Sequence, residues 1–128
     1  MAGPLHGDPA FDGMELQRAD LRYNPKAKPS ELTGGIYRAI APTKHVYQPT
    51  EWNTCRITLA GTRRRVILNG VLIQDVELTR FDKPVRRHDG SPAPPIKNRP
   101  RRGHIGFQEL SRGRSRVQIR NAWIRILD

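Results

Sequence analysis

A carboxylate and an amide fall on one side of a short alternating run near the start of the chain. Met14-Glu15-Leu16-Gln17 alternates apolar with polar, so a strand there turns Glu15 and Gln17 to one face and Met14 and Leu16 to the other. The solvated face of an edge strand has the same pattern. Three basic runs are the second feature: Arg63-Arg64-Arg65, Arg86-Arg87-His88 and Arg99-Pro100-Arg101-Arg102, within a net charge of +11. Such runs can hold a polyanion through counterion release. Aromatics make up only 6% and do not interleave with the arginines, as a single-strand nucleic-acid surface would require. A solvated, soluble surface explains the charge at least as well, and no nucleic-acid motif is present. Ser111 with His104, or Cys55 with a histidine, could suggest a nucleophile and its base, but neither pair has an elbow motif around it. A single cysteine excludes an internal disulfide and a cysteine-based zinc site, and no spacing of ligand types argues for another metal.

The elements that must position these groups read as short strands. Residues 1–12 form an irregular lead-in that has neither the basic region nor the apolar stretch of a signal peptide. The Pro- and Lys-bearing stretch 20–32 is a loop, and Gly34-Gly35 releases a strand over 36–40 that Pro42 ends. Residues 54–60 and 65–68 alternate around the turn Gly61-Thr62. Asn69-Gly70 then supplies a two-residue hairpin, because a type I′ turn needs positive φ twice. Residues 71–78 complete an antiparallel meander. The basic segment 81–102 holds five of the eleven prolines and reads as a long loop. A strand resumes over 103–108. The most regular pattern, 116–127, switches its buried parity near Asn121. Trp52 and Trp123 read as packing anchors and Cys55 as a small buried hydrophobe. The longest uncharged apolar stretch is far shorter than the ~20 residues of a membrane span. Together these features predict an all-β, antiparallel sandwich or barrel.

Six phrases in order make the chain less anonymous. They are Gly13-Met14-Glu15-Leu16-Gln17, Thr33-Gly34-Gly35-Ile36-Tyr37 with Ala41-Pro42, Glu51-Trp52-Asn53, Leu68-Asn69-Gly70-Val71, Gly103-His104-Ile105-Gly106-Phe107-Gln108, and Arg120-Asn121-Ala122-Trp123-Ile124-Arg125. The series resembles the 3-keto-disaccharide hydrolase family, whose fold is a concanavalin A/laminarinase-like jelly roll. The resemblance assigns residues 13–128 to the C-terminal portion of such a sandwich. Family members usually begin with further strands, whereas twelve residues precede Gly13 here. The sandwich is therefore expected to be incomplete at its N-terminal side, and its open edge to recruit a second copy or a complementing chain. Many members also continue the fifth phrase with Asp-His-Gly, where this chain has Glu109-Leu110-Ser111-Arg112-Gly113. Members are often exported.

The resemblance implies substrates oxidised to a ketone at C3 of one sugar. That ketone acidifies the C2 hydrogen. A base removes the proton, the aglycone leaves from C1, and water adds to the resulting enone. On this reading Glu15 is the base, Gln17 holds a hydroxyl, Tyr37 donates to the enolate oxygen or stacks on a pyranose ring, and Gln108 faces the same cleft. Arg87 and His88 reach over it from the proline-rich loop. Tyr37 also suits a core or rim aromatic, and His104 a hydrogen-bonded structural histidine. Two rival functions use the same residues differently: a carbohydrate-binding sandwich without catalysis, and a basic polyanion-binding protein.

Overall fold

The computed structural model describes residues 2–3, 6–108 and 116–127. Its regular structure is all-β and antiparallel, with almost no helix, as the alternation and the turn residues predict. The principal sheet is a meander of β2 (Cys55–Ala60), β3 (Arg63–Leu68) and β4 (Val71–Glu77), in the order β2-β3-β4. Asn69 (φ 49°) and Gly70 (φ 78°) make the hairpin turn that their types predict. Strand β3 begins two residues earlier than the alternation suggested. Between β3 and β4 the register slips at Val66/Ile67, leaving Ile73 as an extra residue, so Ile73 and Gln74 are both buried.

The chain before the sheet forms no long strand. A single helical turn, α1 (Pro9–Asp12), starts at Asp8, whose carboxylate accepts from the Ala10 N–H. Residues 15–17 then pair with 34–37 through Gln17 N–H to Gly35 O (2.9 Å), Gly34 N–H to Gln17 O (3.0 Å) and Tyr37 N–H to Glu15 O (3.2 Å). The strand expected over 36–40 is instead a tight turn. Ile36 and Ile40 bond to each other, and Arg38 sits at φ 57°. Two further pairs complete the strands: β5 (Val85–Arg86) with β6 (Pro92–Ala93), and β1 (Ala2–Gly3) with β7 (His104–Ile105).

Three apolar clusters hold these parts. Met14, Ile36, Ile40, Leu78 and Ile96 form one, Val66, Leu68 and Ile73 another, and Ala10, Phe11, Val85 and Ala93 the third. The sheet is covered on part of one face only. Ile57 and Leu59 of edge strand β2 share the face of buried Val66 and Arg64, yet are 46% and 42% exposed. The segment expected to be the last strand, 116–127, joins no ladder among the described residues, and Ile124 and Ile126 are exposed. Trp52, Trp123 and Cys55 are exposed too, contrary to the packing read from their types. Among the described residues no second layer covers them. Arg120 lies over the Trp52 ring at 3.8 Å, placing the C-terminal segment beside the start of β2. Ser111 and the 109–113 departure fall outside the described residues.

Candidate active site

The turn at Ile36–Ile40 and the 15–17/34–37 pairing set Tyr37 beside Glu15 and Gln17. Met14 is buried in the core, and Glu15 and Gln17 are each half-buried. The proline-rich segment closes the third side. Arg87 clamps Asp12 with both terminal nitrogens, at 2.6 and 3.3 Å, and lies 5.7 Å from the Phe11 ring centre. This brings His88 edge-on to Phe11 (5.4 Å) and within 5.8 Å of Tyr37. A hollow of about 220 Å³ results, lined by Gln17, Tyr37 and His88 with Asn24, Glu31 and Arg38.

Of the six predicted side chains, Gln17, Tyr37 and His88 line the hollow. Glu15 is not in its wall; it lies on the pairing strand, its backbone carbonyl accepting from the Tyr37 N–H, and Arg87 anchors the loop from outside through Asp12. Gln108 does not join them: it is exposed beyond β7 and lines neither this hollow nor the larger one beside it. The reason is that, among the described residues, β7 pairs with β1 and not with the principal sheet, and Gln108 lies three residues beyond that pairing.

The two carboxylates here differ in basicity. Burial, reinforced by the charge of Asp8, pushes Glu15 above the usual carboxylate value. Glu31 is also buried, but it accepts from the Lys28 N–H (3.0 Å) and from Arg38 Nε (2.8 Å), and these bonds hold it below that value. Glu31 therefore stays ionised and occupied, while Glu15 is the better proton acceptor. Burial raises the Tyr37 phenol, and the Glu15 charge adds to that shift. Arg38 and Glu31 escaped the reading of the sequence: a left-handed arginine has no sequence signature, and Glu31 falls in the Pro- and Lys-bearing stretch 20–32 that reads as a loop. No group of three or more His, Cys, Asp or Glu able to hold a metal ion occurs among the described residues.

Comparison with known proteins agrees with the resemblance. The model of the 3-keto-alpha-glucoside-1,2-lyase-like domain matches residues 3–125. The chain belongs to this family. Among solved structures, a candidate glycosyl hydrolase from Parabacteroides distasonis matches at 30% identity with a TM-score of 0.58, over 70% of this chain and 50% of that one. The chain thus spans about half the length of that relative. No curated protein matches. No helix among the described residues is long and apolar enough to cross a membrane.

Proposed function

We propose that this chain contributes the catalytic face of an enzyme that cleaves 3-keto-glycosides. Glu15 takes the C2 proton, and the C2–H electron pair becomes the C1–C2 double bond of the enone as the C1–O bond breaks. The aglycone leaves with the C1–O bonding pair and takes a proton, and water adds across the enone to give the 3-keto sugar. Burial makes Glu15 basic enough for the first step. Tyr37 and the Arg38 guanidinium face the hollow and suit the charge that develops on the C3 oxygen. Gln17 suits a sugar hydroxyl, and His88 forms the roof.

The observation that carries this reading is the convergence of Gln17, Tyr37 and His88, from three separate segments, beside a carboxylate of raised pKa. The domain assignment over 13–128 goes with it. So does completion of the open sheet by another copy or chain in the working enzyme.

The test is turnover of a 3-keto-glucoside. Glu15→Gln should lower kcat by about 100-fold or more, the usual size of a base contribution. Unchanged turnover would take Glu15 out of the mechanism. Tight binding of the same glycoside with no product from the wild-type protein would instead favour the non-catalytic carbohydrate-binding role.

A further inference from the structure

Two arginines of the basic runs are buried, and others are taken up by carboxylates. Arg99 is buried and donates to the carbonyls of Pro94, Ala10 and Gly13. Arg63 and Arg65 share Asp75, and Arg64 is buried between them. The cations that do converge are scattered along the chain. Lys28, Arg38, Arg80, Lys83 and Arg86 line one hollow of about 580 Å³, with Asp82 as the only carboxylate in its wall. Among the described residues, Arg38 alone of these five has an ion-pair partner, Glu31.

We propose that this hollow binds a negatively charged substituent, a phosphate, sulfate or carboxylate, carried on the aglycone side of the substrate. Its volume suits a sugar unit with its substituent and falls within the range of small-molecule sites. Phe81 and Ile96 give it an apolar floor. Arg38 lines both this hollow and the smaller one with Gln17, Tyr37 and His88, so a ligand spanning the two passes its guanidinium. The side chain is held for that purpose. Its Nε is fixed by buried Glu31, and its backbone is kept left-handed at φ 57°. The side chain also bonds the Tyr37 hydroxyl, and the N–H groups beyond these two bonds remain to donate. A nucleic acid fits less well, because Phe81 is the only aromatic in the wall and it lies in the floor, not on a rim.

Placing this anion on the substrate rests on the function proposed above; the affinity of the hollow for it does not. The experiment is calorimetric titration at low salt with trehalose 6-phosphate, cellobionate, unmodified trehalose, inorganic phosphate and a short oligothymidylate. The phosphorylated or the carboxylated disaccharide should bind at least about tenfold more tightly than trehalose, and which of the two wins identifies the anion. Inorganic phosphate should compete with it, and added salt should weaken it. The double variant Arg80→Ala/Lys83→Ala changes two exposed side chains outside the catalytic hollow. It should lose roughly tenfold or more for the anionic disaccharide, with trehalose binding and the melting curve unchanged. Glu15→Gln should leave this binding intact, so a failed catalytic reading and a failed anion site give different results. Equal affinity for charged and neutral disaccharides, an unaffected double variant, or tightest binding of the oligothymidylate would overturn the proposal.

Discussion

Replacing Arg64 with methionine should make the protein more stable. Arg64 is on the inner face of the principal sheet, opposite Leu59 of β2 and Val76 of β4, and is only 3% exposed. Among the described residues its Nε and Nη1 meet no acceptor. Burial lowers its pKa from the ordinary arginine value to about 10. At about 1.4 kcal/mol per pH unit, that drop corresponds to roughly 3 kcal/mol against the charged form. The sign follows from linkage. The folded pKa lies below the unfolded one, so the penalty is complete at all pH below about 10, and it fades as pH rises from there toward the unfolded value. Methionine keeps an unbranched apolar stem and drops the charge. The gain at pH 7 should be about 1–3 kcal/mol, reduced from the full figure by lost stem contacts.

Urea unfolding reads this directly, with the midpoint rising and the m-value unchanged. Arg65→Met is the control. Arg65 is exposed and only 3.5 Å from Asp75 in a pair shared with Arg63, and its loss should change stability by less than about 1 kcal/mol. The gap between Arg64→Met and the wild type should close above pH 10. If Arg64→Met instead loses 1 kcal/mol or more, the guanidinium has a strong partner and the reasoning is wrong.

Three further outcomes follow from the geometry. The pH–rate profile of the proposed reaction should lose activity on the acid side above the usual carboxylate range, because Glu15 protonates early; a limb at or below that range would assign the base elsewhere. Gly34→Ala should cost about 2–4 kcal/mol in urea unfolding. Gly34 is left-handed at φ 95°, and an added Cβ would collide with Ile73 Cδ1, whereas Gly61→Ala, left-handed but facing open space, should cost only about 1 kcal/mol. Light scattering at moderate salt should show self-association through the exposed β2 edge, relieved by Leu59→Lys; a monodisperse monomer would contradict the open-edge reading.

The meander was legible because its signals are local. Alternation along 55–60 and an Asn-Gly pair depend on neighbours only, and they determine the two successive hairpins of the meander. Glu15 and Gln17 were readable for the same reason, since a two-residue period settles their face wherever the strand sits. What failed depended on distant packing. Trp52 and Trp123 have the composition of core residues, but a large aromatic is buried only if a second layer arrives, and here the β2 face is open. Ile36–Ile40 has strand propensity and forms a turn, because the Ile36–Ile40 bonds and the burial of both side chains outweigh that preference. Gln108 was grouped with the site by its phrase, and only the pairing of β7 shows where that phrase leads.

The proline-rich segment shows most clearly why sequence distance misleads here. Five prolines within 81–102 remove five N–H donors, so the segment cannot be secured by a continuous backbone ladder. Side chains take over that work. Arg99 caps the carbonyls of Ala10 and Gly13 at 3.0 Å, and Arg87 clamps Asp12. Both anchors act on α1 and the residue after it, immediately before the Glu15–Gln17 pairing strand. The loop is therefore fastened to the element that carries the proposed base, and His88 is delivered to Tyr37 by that fastening and not by a sheet. A run of basic residues that reads as a polyanion surface is, in part, the stitching that assembles the site. Of the five cations left over for a ligand, only Arg86 comes from one of those runs.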